Sequence, residues 1–497
     1  MDAPSQSSVA GRPVVALTLA LNYAMSGLHT WSYHATNLAL HISAALLLFG
    51  IVRRTSGRPG VSLAIALIWL VHPLQTESVT YIVQRTELLA GFFILLTLYC
   101  VIRGWNAPAV VACALAMGSK EVAAVTPVLM LLYDRIFLPG PVRQRWRLYA
   151  GLTATWFVLG ASLAMGARAE TVGLGHAEIP PLDYLRTQCG VIVHYIRLAV
   201  WPRPLVLDYS DWPVARSWAA VWLPAVVVAG LLAGTLWMRR KPAGFIGAWF
   251  FLILAPSSSV VPIVTEIAAE RRMYLPMAAV IALVVLVGAR LPRRTGATLL
   301  AVTVLGLGLL TMQRNNDYRS EETIWRDTVA KRPGDVRATV NLGTVVVRQG
   351  RVEEAVALYR RALEVNPESS EAHFNLGVTL VGQGRFEEAI PHLQRAVELA
   401  PQSAMAHYNL GVVLARAGQT DEAIAQLRGA ARLNPRDAHA RNDLGAVLAT
   451  QGRLEEAMLE LAEAARLDPQ FADARRNLAR ARRQLEQTND AQQGRAP

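Results

Sequence analysis

Charge is scarce in this chain, and cysteine is scarcer. Asp, Glu, Lys and Arg together make 17% of the 497 residues, against 53% hydrophobic residues. A wholly soluble protein carries about 25% charged residues, so a large part of this chain is expected to lie in lipid. The three cysteines, Cys100, Cys113 and Cys189, stand in apolar surroundings without metal-ligand spacing. They read as small buried hydrophobes and carry no information on the redox compartment. The common soluble-enzyme signatures are also missing: there is no GxxxxGK(S/T), HExxH, GxSxG or CxxC. The opening MDAPSQSSVAGRP has no positive stretch followed by an apolar core, so no cleavable signal peptide is evident and membrane insertion rests on internal spans.

The charge that is present is unevenly placed. Residues 1–313 hold 24 Lys and Arg against 12 Asp and Glu, whereas residues 314–497 hold 25 against 25. The whole formal charge of +12 therefore belongs to the apolar part. A pI near 10 in a soluble protein would suggest nucleic acid. Here the positive residues sit in short loops between apolar runs, as topology signals do, and no nucleic-acid partner is expected.

Apolar runs divide residues 1–313 into about nine to ten spans, from His34–Val52 and Val61–Val71 through Gly244–Val264 and Tyr274–Ala289 to Ala297–Met312. The Tyr184–Val200 run carries Arg186, His194 and Arg197 and reads as an interfacial helix. Alternation then puts Arg53–Arg58, Arg103, Arg135–Arg147, Arg239–Lys241 and Arg290–Arg294 on one side. That side collects 14 basic residues against one acid, Asp134, and the other holds 10 against 11. The basic side is the cytoplasmic one.

This assignment sends one stretch outward. His72–Leu89, HPLQTESVTYIVQRTELL, interrupts two apolar runs with His72, Glu77, Arg85 and Glu87. Ionisable residues near membrane depth are functional-site candidates. The Lys120-Glu121 turn, the 167–217 loop and Glu266–Arg272 face the same way. Arg85, Lys120, Arg271 and Arg272 are cations suited to phosphate oxygens on a lipid carrier. Glu77, Glu121, Glu266, Glu270 and Asp208 are acids, and His72, Tyr209 and Tyr274 are hydrogen-bond donors. A carboxylate facing the cations suits general-base work. The plainer alternative is neutralisation of Arg85 by Glu77 and of Lys120 by Glu121. His34 and His41 lie seven apart on one helical face and read as polar packing between spans, not as a metal pair; no metal ligand set and no cofactor are identified.

Residues 314–497 are repetitive. Leu342, Leu376, Leu410 and Leu444 are 34 apart, and so are Gly343, Gly377, Gly411 and Gly445, and Pro333, Pro367, Pro401, Pro435 and Pro469. The unit NLGxxxxxxGRxEEAxxxxxxALExxP resembles the tetratricopeptide repeat. The expected organisation is a polytopic membrane domain (1–313), a linker and half repeat (314–335), four repeats (336–469), a capping helix (470–487) and a disordered tail (488–497). The fold class is all-α, a helical membrane domain followed by an α-solenoid. Solenoids bind peptides or partner domains in their concave groove, for which Asn341, Asn375 and Asn409 on the first helices, with His373 and His407, are candidates. A spacer without ligand, and Asn holding a neighbouring repeat's backbone, are the alternatives.

The order of motifs carries a resemblance over nearly the whole chain. RPVVALTLALNY, GLHTWSYHATNLALHISAALLL, HPLQTESVTYIVQRTELLAG, GSKEVAAVTPVLMLLYD and ERRMYLPM, followed by the repeats, resemble the transmembrane and tetratricopeptide-repeat O-mannosyltransferases, which are type C glycosyltransferases. That resemblance implies an integral-membrane glycosyltransferase using a polyprenyl-phosphate sugar on the non-cytoplasmic face. Arg85, Lys120 and Arg271 would bind the carrier phosphate. His72, Glu121, Asp208, Tyr209, Glu270 and Tyr274 would support the site. Family members carry acidic residues in a loop after a first span, acting as base or metal ligand. This sequence begins at what corresponds to the position after that loop, with Asp2 as the one upstream acid, so it reads as shortened at its N-terminus. Glu77 would then be the substitute carboxylate, and a divalent metal is left open. The alternative is a catalytically incomplete membrane-anchored scaffold for protein interaction. The Ala-, Arg- and Gly-rich composition points to a bacterial inner membrane with periplasmic repeats.

A reporter fused to the C-terminus that is active only in the cytoplasm is expected to stay silent. An active reporter would mean an odd change in the span count, with Tyr184–Val200 the first suspect.

Overall fold

A computed structural model describes residues 11–165, 179–259, 263 and 266–492 of the chain. Helix dominates, and no strand occurs among the described residues. Contacts divide the chain into two compact units, residues 1–331 and 332–497.

The first unit contains α1 (Pro13–Ser26), α2 (Thr30–Ser56), α3 (Pro59–Val71), α4 (Thr76–Thr80), α5 (Arg85–Arg103), α6 (Asn106–Met117), α7 (Thr126–Phe137), α8 (Trp146–Ala154), α9 (Trp156–Met165), α10 (Pro181–Val200), α11 (Trp222–Trp237), α12 (Pro242–Leu254), α13 (Met277–Gly288), α14 (Arg293–Asp317) and α15 (Glu321–Lys331). Helices Thr30–Ser56, Ile82–Arg103, Trp218–Trp237 and Arg293–Asp317 are each long and apolar enough to cross a membrane. The pair Pro59–Val71 and Pro73–Thr80, bent by 54°, meets the same length and composition as a unit, as a broken span or a re-entrant loop. Four shorter apolar helices, Pro13–Ser26, Asn106–Met117, Pro242–Leu254 and Met277–Gly288, accompany them. A nine-to-ten-span topology needs these shorter helices to cross as well.

Local chemistry sets several boundaries. α2 ends at Gly57, whose φ of +67° takes the left-handed conformation that L side chains avoid. α12 stops at Leu254, short of the Gly244–Val264 span read from hydropathy, because Pro256 cannot continue a helix; residues 260–262, 264 and 265 lie outside the described residues. α10 buries Tyr184, Thr187, Val191, Tyr195 and Leu198 along one face, and it is not among the span-length apolar helices. α15, expected in the linker and half repeat, belongs to the first unit. Lys331 Nζ donates to the Leu205 carbonyl at 2.9 Å, and Thr328 Oγ1 accepts from the Leu207 amide at 3.4 Å.

The second unit is a series of antiparallel pairs: α16 (Val336–Arg348) with α17 (Val352–Val365), α18 (Ser370–Gly382) with α19 (Phe386–Leu399), α20 (Ala404–Arg416) with α21 (Thr420–Leu433), and α22 (Ala438–Thr450) with α23 (Leu454–Leu467). α24 (Ala472–Gln492) follows. It covers 488–492, so the first part of the expected disordered tail is helical; 493–497 lie outside the described residues. Asp335, Ser369, Ser403 and Asp437 cap the first helix of each pair through side-chain oxygens. At Gly343, Gly377, Gly411 and Gly445 an added Cβ would lie 2.5–2.7 Å from Tyr359, Leu393, Leu427 and Leu461 of the second helix. The 34-residue glycine thus exists because the two helices of a pair cross there without room for a methyl.

Gly411→Ala is expected to destabilise the repeats by about 1–3 kcal/mol through overpacking against Leu427, read as a lowered midpoint of helix loss on heating. An unchanged midpoint would show that the crossing relaxes freely.

Candidate functional site

The interruption at His72–Leu89 is built by its own residues. α3 ends at Val71 because Pro73 follows, and His72 takes an extended conformation between them. The His72 ring then closes the bend. Its Nδ1 accepts from the Leu74 amide at 3.2 Å, and its Nε2 meets the Ala199 carbonyl at 3.2 Å. His72 is buried and therefore shapes the turn instead of facing a substrate. The redirected chain forms α4, which carries Glu77 inward, and returns through residues 82–84 to α5.

Glu77 has a defined partner. Its Oε1 accepts from Arg271 Nη1 at 2.6 Å and its Oε2 from the Arg271 backbone amide at 2.9 Å. Arg271 also pairs with Glu266. Next to this lie Lys120 paired with Glu87, and Arg12 paired with Glu121 at 3.2 Å. The field of Glu87 reaches Arg12, Lys120 and Arg271 alike, so the three pairs are one cluster. Side-chain exposure rises from 0% at Glu77 through 14% at Arg271 and 20% at Lys120 to 32% at Glu121. This charged crevice runs from the closed end at Glu77 to the partly exposed Glu121. Burial lowers the pKa of Lys120 while Glu87 pulls it back up. Arg271 is pulled down by burial, and Glu77 and Glu266 more than offset this and raise it.

Neither local pair considered from the sequence forms. Glu77 goes to Arg271, and Lys120 to Glu87. Arg85 is elsewhere: fully buried, its guanidinium donates to Asn37 Oδ1 at 2.8 Å, the Tyr33 carbonyl at 3.0 Å, the Thr18 carbonyl at 3.2 Å and Asn22 Oδ1. It ties α5 to α1 and α2, and this replaces the phosphate-binding role expected of it. Tyr274 is likewise a core anchor. Its carbonyl accepts from Trp69 Nε1 at 2.9 Å and Gln75 Nε2 at 3.3 Å, and its hydroxyl meets His41 Nδ1 at 3.1 Å. His41 Nε2 meets the Leu70 carbonyl at 3.0 Å, so that ring is committed to packing between helices.

Tyr209 and Glu270 form an adjoining network, with Asp208 beside Tyr209 in the chain. Asp208 accepts from the Ser210 amide at 2.8 Å. Glu270 Oε1 accepts from Tyr209 Oη at 2.8 Å and from the Val206 amide at 2.6 Å. Burial pushes the Glu270 carboxyl up to about 7, against the pull of Arg314. Arg314 pairs with Asp327 at 2.7 Å and Asp317 at 3.1 Å, while its Nε and Nη2 are buried without a hydrogen-bond partner. Gln75 Oε1, Thr76 Oγ1 and Ser78 Oγ are buried and unpartnered in the same way.

Sequence reasoning missed Arg12 and Arg314 as members of this region and left Glu87 without a partner. Glu87 announced itself as a charge in the first turn of an apolar helix. Arg12 and Arg314 sit at the ends of apolar helices, where a basic residue reads as a topology signal. In the repeats, Asn341, Asn375 and Asn409 are half-buried on the first helices. Asn409 Nδ2 turns back to the Met405 carbonyl of its own helix at 2.9 Å. His373 and His407 reach the carbonyls of Pro367 and Pro401 at 3.0 and 3.1 Å and so brace the inter-repeat turns. No group of three or more metal-ligating side chains occurs among the described residues.

The fold and the site define an all-α membrane protein with a tetratricopeptide-repeat array. The tetratricopeptide repeat family model matches residues 313–364, 340–404, 374–432 and 408–470. Over more of the chain, the similarity is to protein O-mannosyl-transferases. TMTC4 of Mus musculus is 26% identical over 427 residues, covering 70% of this chain and 57% of that protein. F38B6.6 of Caenorhabditis elegans is 26% identical, covering 73% and 54%, and TMTC2 of Homo sapiens 24%, covering 71% and 54%. The chain thus spans a little over half the length of these relatives. Its resemblance to the transmembrane and tetratricopeptide-repeat O-mannosyltransferases holds over about 70% of the chain, and the family model identifies its repeats as tetratricopeptide repeats. Among solved structures, YrrB, titled a TPR protein with an unusual peptide-binding site, is 27% identical over 33% of this chain and 84% of its own, with a TM-score of 0.31. MamA is 23% identical over 32% and 94%, with a TM-score of 0.29.

The raised carboxyl of Glu270 makes a pH prediction. A folded-state pKa near 7 against an ordinary 4.5 means the folded protein holds the proton more tightly than the unfolded chain. The associated stability is fully present below pH 4.5 and is lost as pH rises through 7, by about 3 kcal/mol at most. Glu270→Gln keeps an oxygen for Val206 and Tyr209 and is expected to flatten the thermal midpoint between pH 4.5 and 7. A profile as steep as the parent's would remove Glu270 as its source.

Proposed function

We propose that this chain is an integral-membrane glycosyltransferase that moves a sugar from a polyprenyl-phosphate carrier to a hydroxyl of a protein or glycan acceptor on the non-cytoplasmic face. The observation that supports this most is the graded crevice in which Arg271, Lys120 and Arg12 stand in one cluster. Arg271 presents a planar fork suited to two phosphate oxygens, and Lys120 a compact charge beside it. Glu77, with both oxygens on Arg271, is a positioning residue and not the base. The carboxylates with exposure enough to meet an acceptor are Glu266 and Glu121. In the step itself the acceptor oxygen attacks the anomeric carbon and the bond from that carbon to the carrier phosphate oxygen breaks. The acceptor proton passes to a carboxylate, and the phosphate leaves on the carrier against the cations. Relatives named as O-mannosyl-transferases favour mannose and protein hydroxyls. The repeats would hold the acceptor or a partner on the same side of the membrane, which in a bacterium is the periplasm.

A second reading has its own observation. Each cation of the cluster already has a carboxylate partner, so a membrane-anchored repeat scaffold without catalysis also fits.

Membranes containing the chain, given polyprenyl-phosphate mannose and a Ser/Thr-containing protein, are expected to show transfer. Arg271→Ala should reduce it at least about 100-fold, as loss of a charge-stabilising group does, and Glu77→Gln should reduce it less while keeping the carrier KM within a few-fold. No transfer by the parent chain would favour the scaffold.

A further inference from the structure

The charged crevice lies at one end of the helices, by the end of α3, the start of α5 and the residues before α13. The opposite end of the same bundle holds a second cavity of about 270 Å3. It is walled by the end of α2 (Leu48, Ile51, Val52), the start of α3, the later part of α5, the end of α7, the first half of α12 and by α13 (Ala279, Ala282). Its lining is almost entirely apolar. The hydroxyls it does contain are spent on each other or on the backbone: Thr55 Oγ1 lies 2.6 Å from Tyr133 Oη, and Ser56 Oγ donates to the Val52 carbonyl at 2.7 Å. Nothing is left to recognise a sugar, a nucleotide or a peptide. A half-open apolar cavity of this kind between packed helices is stabilised by hydrocarbon and by little else.

The chain segments bounding this cavity say what that hydrocarbon is attached to. Arg53 and Arg54 immediately precede Thr55 and Ser56, Arg58 lies three residues before the lining Val61, and Arg239, Arg240 and Lys241 immediately precede Pro242. Three of them lie over aromatic rings, Arg53 over Phe49 at 6.0 Å, Arg54 over Tyr99 at 5.7 Å and Lys241 over Trp237 at 5.5 Å, and Arg239 donates to the Leu236 carbonyl at 3.3 Å. Six exposed cations without a matching set of acids, on the segments that border an apolar cavity, suit an anionic head group carrying an acyl chain.

We propose that this cavity is a binding site for one acyl chain of an anionic phospholipid of the cytoplasmic leaflet, its head group held by Arg53, Arg54, Arg58 and Arg239–Lys241. The site is independent of the glycosyl-transfer reading. A carrier whose phosphate sits in the crevice would have its head group at the other end of the bundle.

The test uses the full chain in phosphatidylcholine vesicles doped with either phosphatidylglycerol or phosphatidylcholine bearing a photoreactive acyl chain. Adducts are mapped by mass spectrometry. The phosphatidylglycerol probe is expected to label segments 48–56, 133–137, 242–249 and 278–286 at least about threefold more than the phosphatidylcholine probe. Ala282→Phe, which fills the cavity, should abolish that excess while labelling of the lipid-exposed α11 continues, which also reports that the variant is inserted. Equal labelling by the two probes, labelling confined to outward surfaces such as α11, or excess labelling that survives Ala282→Phe would each overturn the proposal. So would competition by a polyprenyl phosphate that phosphatidylglycerol cannot match.

Discussion

A guanidinium buried among apolar helices must have its acceptors, and the carboxylate that Glu77 brings to Arg271 organises the first unit. Desolvating both charges is costly, and only tight geometry with further hydrogen bonds offsets it. Glu77 supplies that geometry by accepting from both the side chain and the backbone of Arg271. It thereby pins the turn at 270–273 to the bent stretch after α3. Breaking such a pair by removing one partner typically costs about 3–5 kcal/mol, since the other charge is left buried alone. The next residues depend on the same registration. Tyr274 takes Trp69 and Gln75 on its carbonyl, and its ring lies against Gly91, where a Cβ would come within 2.5 Å.

The repeats were legible because their signal is periodic and local. A glycine every 34 residues reports a helix crossing, and a Ser or Asp before each first helix reports a cap; both are visible without knowing any distant contact. The spans were legible as apolar runs, but their ends were not. Pro73 bends one apolar helix pair and Pro256 closes another apolar helix early, and hydropathy averaged over a window passes through both. At the site, several of the loops singled out from the sequence do meet in space, but through other pairs than the local ones. Glu77 and Arg271 are 194 residues apart, and Lys120 and Glu87 are 33 apart. Nothing in a single sequence chooses such partners over nearer ones. Arg85 illustrates the limit. Its charge within an apolar run marked it as a ligand for phosphate, yet it ends on two asparagines and two carbonyls. Only the positions of α1 and α2 reveal that.

The turn Glu270–Met273 shows how one short element serves several tasks. A 3₁₀ turn advances three residues per revolution, so three consecutive side chains leave it in three directions. Glu270 goes to Val206 and Tyr209, Arg271 to Glu77 and Glu266, and Arg272 to the carbonyls of Ser257 and Ile267 at 3.0 and 3.1 Å. The proposed phosphate ligand is therefore flanked on both sides by residues that fix the backbone. Such support is what a binding group needs if its fork is to keep one orientation.

The same turn joins the crevice to the end of α14. The charge of Arg314 acts on Glu270, and Arg314 is itself held by Asp317 and by Asp327 of α15. Thr80 of α4 adds a hydrogen bond to Asn315 at 2.6 Å. A displacement of α15 would therefore change the field on Glu270 and, through the rigid turn, the setting of Arg271. Asp327 of α15 and Asp317 thus hold Arg314 close enough for its charge to be felt at Glu270.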